Sequence, residues 1–283
     1  MEISYFNGNF LPGNKIQISP DDRGFLFADG IYEVVRWYEG FFYDMNGHMA
    51  RLKRSLGEVR IVWPDADSFP SIAYELIVKN NLQDRPSLVY LQVTRGAARR
   101  THAFPEPAVE PTVYAFAREF KPDSETMKNG IGVILRKDIR WNRCDIKSVS
   151  LLPNILLFQE AREKNCYECI FSRDGLITEG AHSNIFFVIR GVLHTHPESE
   201  NVLSGITRNN VLRIARQAGI PVSETAVNET MINSVDEAFI TNTSSEIAPV
   251  ISVNNDPVGK GKPGPVTMLL QKKFREELIA MKG

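Results

Sequence analysis

The segment RWNRCDIKSVSLLPNILLFQEA, residues 140–161, decides how this chain is read. It passes from a short polar, strand-like stretch through Lys147 into a predominantly apolar helix predicted over Leu151–Lys164. A lysine at such a junction sends its stem toward the interior. Burial disfavours the ammonium form and lowers the pKa, which is what a Schiff-base nucleophile requires. A lone lysine is ordinarily a solvated charge, so the weight of Lys147 depends on what surrounds it.

Upstream, short apolar runs alternate with turn signals. Asn7-Gly8 between Ile3–Phe6 and Asn9–Leu11 predicts a hairpin. Ile31–Tyr38 and Gly40–Tyr43 read as a second strand pair. His48–Val59 carries helical spacing at Met49, Leu52, Leu56 and Val59, and a further helix is predicted over Asp67–Asn80. Ser87–Thr94 and Pro111–Phe116 read as strands. The polar, proline-containing stretch 119–130 reads as an interdomain linker between a small N-terminal α/β domain (1–118) and a larger C-terminal domain (131–283). Beyond it, strands are predicted over Ile131–Arg136, Cys169–Phe171 and Ala238–Thr241, with a hairpin over Asn184–His194. Helices are predicted over Thr207–Ala218, closed by Gly219, and Thr267–Ile279. The class is α/β with much antiparallel pairing, an α+β two-domain arrangement.

Composition narrows the function. The 283 residues carry 33 Lys+Arg against 34 Asp+Glu, a net charge of −1, without the basic excess of a nucleic-acid binder. No apolar run approaches the roughly 20 residues of a membrane helix, and MEISYFNGNF lacks a signal-peptide pattern. Three cysteines do not make a disulfide framework. A cytoplasmic protein is expected. Cys166-Tyr-Glu-Cys169 lacks the second ligand pair a zinc site needs, and His194-Thr-His196 follows from strand alternation, so no metal is expected.

Six blocks in fixed order carry a resemblance: RGFLFADGIYEVVR (23–36), HMARL (48–52), DIRWNRCDIKS (138–148), ITEGAHSNIF (177–186), LSGITR (203–208) and TNTSSEIAPV (241–250). Together the chain resembles the fold-type IV, or class IV, aminotransferases, and among them the D-amino acid aminotransferases. The resemblance implies a C-terminal domain with a β-barrel-like core and pyridoxal 5′-phosphate (PLP) between the two domains. It implies that Lys147 forms the Schiff base and then shuttles the proton between substrate Cα and cofactor C4′. Glu179 would pair with the pyridine nitrogen. Arg51, Ile206, Thr207 and Thr243 would hold the phosphate, using a charged fork and a helix start. Arg140 would lie near the phenolic oxygen.

Arg100-Thr101-His102 matches the R-x-H element that, with Tyr32, traps the substrate carboxylate in D-specific members. In that family the element reaches the neighbouring subunit, which implies a homodimer. Two positions depart from the family pattern: Arg36 stands where lysine is common, and Ser150 where asparagine often follows the catalytic lysine. The expected reaction is ping-pong transfer of an amino group between D-alanine, D-glutamate or D-aspartate and pyruvate or 2-oxoglutarate. The alternatives on the same fold are a branched-chain L-amino acid or (R)-amine transaminase and an aminodeoxychorismate-type lyase. A catalytically idle PLP-binding protein is the alternative of a different class.

Overall fold

The computed structural model describes residues 2–282. The chain forms two compact units: residues up to Lys121 together with Ile146–Ser150, and Pro122–Asp145 together with Leu151–Met281.

In the first unit, β1 (Ile3–Phe6) and β2 (Asn9–Pro12) form the hairpin that Asn7-Gly8 predicts, with both turn residues at positive φ (44° and 87°). Helix α1 (Arg23–Phe27) and strand β3 (Gly30–Trp37) follow. The second strand of the next expected pair reduces to a single bridge, Trp37–Phe42. Glu39 and Gly40 turn the chain at positive φ, and left-handed Asp44 starts α2 (Met45–Glu58) at once, accepting from the Gly47 N–H. Helix α3 (Phe69–Lys79) has Pro70 in its first turn, where the missing N–H costs no hydrogen bond.

Strands β4 (Ser87–Thr94) and β5 (Thr112–Glu119) complete an antiparallel sheet of order β2-β1-β5-β4-β3. One face is apolar: Ile31, Val35, Val89, Leu91, Val93 and Ala115 pack in one core with Leu52 and Leu56 of α2 and Ile72, Leu76 and Ile77 of α3. The other carries a half-buried aromatic row, Tyr32–Tyr90–Phe116, with stacked rings 5.8 and 5.3 Å apart.

Strand β3 is at the sheet edge, and Ile146–Ser150 covers that edge. Tyr32 N–H donates to Lys147 O (2.9 Å), Val149 N–H donates to Gly30 O (3.1 Å), and Ile31 bridges Ser148. The sequence pattern places these residues in the C-terminal domain; their backbone hydrogen bonds, and Ile146 in the first core, join them to the first unit.

The second unit opens with α4 (Ser124–Asn129), capped by Asp123, inside the stretch expected as a linker. Then come β6 (Ile131–Lys137), α5 (Leu152–Glu163), β7 (Glu168–Arg173), β8 (Leu176–Gly180), β9 (Asn184–Ile189), β10 (Val192–Thr195), α6 (Ile206–Gln217), β11 (Val222–Ser223), β12 (Glu237–Asn242), β13 (Glu246–Val253), β14 (Asp256–Pro257) and α7 (Pro265–Lys282). Nine strands curl into a half-barrel of order β11-β10-β9-β12-β13-β6-β7-β8, with β14 on β13. The sequence pattern leaves β8 and β13 unread. Pro249 argues against a central strand, yet β13 holds it next to an irregularity in the ladder with β6.

Ile170, Ile177, Ile185, Phe187, Ile240 and Ala248 form one core, and Ile134, Ala161, Cys166, Cys169 and Phe171 another. Cys166 and Cys169 are thus buried thiols; burial pushes Cys169 up to about 12. Among the described residues no helix is long and apolar enough to cross a membrane.

Candidate active site

In the first unit the edge strip presents Lys147 beside Tyr32. The Lys147 Nζ lies 4.2 Å from the Tyr32 ring centroid, and the backbone N–H of Lys147 donates to the buried Ser55 hydroxyl (3.3 Å). The side chain is half-buried. Two of the expected residues are therefore brought together by a strand-edge contact that no local sequence pattern announces.

Arg51 is held by a partner the motif reading does not include. Its Nε and Nη2 donate to the two oxygens of Glu33 at 3.0 and 2.6 Å, a bidentate fork, and His48 Nδ1 lies 3.0 Å from Glu33 Oε1. Glu33 has no exposed surface. Burial alone would raise its carboxyl, but Arg51 and His48 outweigh burial and hold it far below the usual carboxylate range. Burial also pushes His48 below its ordinary value, more than Glu33 lifts it. One signal for Glu33 was legible: a charge at an inward position between Ile31 and Val35 in an alternating strand needs a buried partner.

Arg100 and His102 lie on the exposed loop between β4 and β5. Both are placed against Phe27: the Arg100 guanidinium carbon is 4.9 Å from the Phe27 ring centroid, and the His102 ring is 5.7 Å from it. The departure at Arg36 is buried, with its guanidinium over Tyr38 (4.3 Å) and Phe120 (5.1 Å).

In the second unit Glu179 ends in a closed polar clamp near the end of β8. Oε2 accepts from Asn184 Nδ2 (3.0 Å) and from the Leu203 N–H (2.9 Å), while Oε1 accepts from Arg140. Burial raises the Glu179 carboxyl, with Arg140 opposing. Arg140 is itself committed to Asp138 through two bonds, at 2.9 and 2.8 Å, so it sits as the companion of Glu179.

The elements expected to bind the phosphate gather at the same end. Asn184 also accommodates the start of α6: a Cβ on Gly205 would sit 1.9 Å from Asn184 Oδ1. Gly205 is the N-cap and no side chain caps the helix, so neither Ser204 nor Thr207 is spent there. Ile206 and Thr207 are buried in the first turn. Register pairs Thr241 with Asn184, which brings the following turn, with Thr243, to this end of the sheet. Asn242 Oδ1 ties that turn by accepting from Ser245 N–H (2.6 Å). Among the described residues the buried Thr241 Oγ1 and Asn242 Nδ2 have no hydrogen-bond partner. Buried donors demand acceptors. An uncapped helix start, these donors and a buried carboxylate, linked through Asn184, fit a ligand with an anionic end and a ring nitrogen, as PLP has.

The amino-transferase class IV family profile matches residues 30–253, and the chain belongs to that family. Two D-alanine aminotransferases are similar to it over nearly their whole length. That of Staphylococcus haemolyticus is 37% identical over 96% of each chain, and that of Bacillus licheniformis is 36% identical over 97% of this chain and 96% of the relative. Among solved structures, the Escherichia coli branched-chain amino acid aminotransferase superposes with a TM-score of 0.90 at 26% identity, covering 97% of this chain and 94% of that one. A second branched-chain amino acid aminotransferase, from T.th. and solved with pyridoxamine 5′-phosphate, gives 0.89 at 25% identity, covering 97% and 93%.

Proposed function

We propose that this chain is a PLP-dependent transaminase that exchanges the amino group between D-amino acids (D-alanine, D-glutamate, D-aspartate) and 2-oxo acids (pyruvate, 2-oxoglutarate). The observation that carries the reading is full-length similarity to D-alanine aminotransferases, in a chain that has Lys147, Glu179 and an Arg100-x-His102 element.

PLP, when bound, supplies an electron sink for the bond-breaking at the substrate Cα. Lys147 is the residue that would bind it covalently, and the Lys147 amine would be the group that moves the proton at the substrate Cα. Glu179, held as an acceptor by Asn184 and the Leu203 N–H, would pair with the protonated ring nitrogen. The first-turn N–H groups of Ile206 and Thr207, with Thr243, bind the phosphate. Arg51, oriented by Glu33, adds a fixed positive charge. Arg140 tunes Glu179. Tyr32, Arg100 and His102 orient the substrate carboxylate and so select the D enantiomer. The working form is a homodimer in which the Arg100–His102 loop serves the neighbouring subunit.

The structural likeness to branched-chain enzymes makes L-leucine the informative competitor. The purified yellow enzyme is mixed in turn with D- and L-alanine, D- and L-glutamate, L-leucine and (R)-1-phenylethylamine. Loss of the cofactor band with D-alanine and D-glutamate is expected; loss with L-leucine alone overturns the reading. Borohydride should fix the cofactor label on Lys147. A Lys147→Ala variant that kept label and turnover would remove the lysine from its role.

A further inference from the structure

We infer that the short helix α1 sets the shape of the carboxylate trap, with Arg23 and Phe27 as its positioning residues; this rests on the reading of Arg100 and His102 as that trap. The loop carrying the trap is exposed, yet two of its carbonyls are fixed from within the same unit. Arg23 Nη1 donates to Thr101 O (2.7 Å) and to Ala103 O (3.3 Å), the carbonyls on either side of His102. Arg23 is only 3% exposed.

The guanidinium is held at its other edge. Nε donates to Asp29 Oδ2 (2.8 Å), and Arg95 binds both Asp29 oxygens at 2.8 and 2.9 Å. Arg95 in turn donates to Val59 O and Arg60 O, which ties the cluster to the end of α2. The backbone reinforces the contact: Arg23 N–H donates to Gly96 O (2.9 Å), and Asp22 bridges Ala97.

Phe27, one turn on, is the platform for the trap side chains. The guanidinium carbons of Arg23 and Arg100 lie 4.8 and 4.9 Å from its ring centroid, and the His102 ring lies 5.7 Å away. A trap of two long polar side chains on an exposed loop would otherwise lose much of its binding energy to ordering. Here the backbone is fixed by a buried arginine and the side chains by one ring. Neither α1 residue needs to touch substrate, so each should act on substrate binding and leave the cofactor chemistry alone.

The test uses PLP-loaded enzyme and two probes, D-alanine, which has a carboxylate, and hydroxylamine, which attacks the bound cofactor without one. Arg23→Met should raise the KM for D-alanine on the order of tenfold, the scale of lost hydrogen bonds to a charged group. Phe27→Leu should raise it about twofold to fivefold, the scale of an exposed cation–π contact. In both, kcat and the rate of hydroxylamine capture should stay within about twofold of the parent, because uniform binding alone is removed. Arg100→Ala should raise KM at least as much as Arg23→Met, and the double variant should raise it by less than the product of the two single effects, because Arg23 then acts through His102 alone.

If Arg100→Ala raises KM while both α1 variants leave it unchanged, the trap stands and the positioning role is overturned. If Arg100→Ala leaves KM unchanged, the trap reading fails and the positioning role with it. If the α1 variants slow hydroxylamine capture as much as they raise KM, their role is merely structural and the inference is overturned. Should Arg23→Met not fold, Arg23→Lys carries the same comparison: it can keep the Asp29 pair but cannot span two carbonyls.

Discussion

Each unit buries one glutamate beside an arginine, and the two titrate in opposite directions. Glu33 has a dedicated cation: Arg51 grips both its oxygens, His48 adds a third contact, and the Val34 N–H donates a fourth at 2.9 Å. Its carboxyl is driven far down. Glu179 shares its cation, because Arg140 already serves Asp138 with two bonds; burial wins and its carboxyl rises. Burial is thus a weaker guide to a carboxylate's proton affinity than whether its positive partner is exclusive. The surroundings differ as well: Glu33 orients Arg51 through both its oxygens, whereas Glu179 accepts from Asn184, the Leu203 N–H and a shared Arg140.

This contrast can be broken from either side. The largest effect is expected from Glu33→Ala, which breaks the buried two-oxygen ion pair with Arg51 and should cost about 3–5 kcal/mol of stability, read by denaturant unfolding. Glu179→Ala should do the reverse. Arg140 keeps Asp138, so the melting temperature should fall less than in Glu33→Ala, while kcat should fall about 10²–10³-fold, the scale of losing a preorganised electrostatic group. If the variant with the larger stability loss proved to be Glu179→Ala, the division would be wrong.

Gly205→Ala comes next. Its Cβ must displace Asn184, so a cost of about 1–3 kcal/mol is expected, with weaker PLP retention on dialysis because Asn184 also holds Glu179.

The smallest effect is in pH dependence, and it sharpens the comparison. Glu33 and His48 both lie below their ordinary values in the fold. A lowered group contributes stability that is complete above its unfolded pKa and is lost as pH falls toward the folded one. Stability should therefore decline on acidification below about pH 6.5 through His48 and further below about 4.3 through Glu33. Glu179 is raised, so its contribution has the opposite sign, fullest below the unfolded value and lost as pH rises through the folded one. Glu33→Gln should flatten a melting-temperature profile below about pH 4.3, and Glu179→Gln should not.

Much of this was legible in the sequence by itself. Asn7-Gly8 specified a hairpin because only turn residues that accept positive φ fit between two strands, and periodicity located α2, α3 and α6 to within a few residues. The ordered blocks around Lys147 and Glu179 named the family, because their order and spacing together carry a resemblance that none of them carries alone.

Tertiary structure decided the rest. Strand β13 was hidden by Pro249, which a ladder irregularity tolerates. The strip 146–150 reads as part of the C-terminal half, yet hydrogen bonds on the open edge of β3 put Lys147 beside Tyr32. The partnerships Glu33–Arg51, Glu179–Asn184 and Arg23–Thr101 join residues far apart in the chain, or on separate elements, through side chains whose meeting depends on strand register and helix placement. Local sequence sets which residue types and which φ values are available. Which charge faces which is fixed only when the sheets bring them together and exclude water, so candidate site residues could be proposed from sequence while their electrostatics could not.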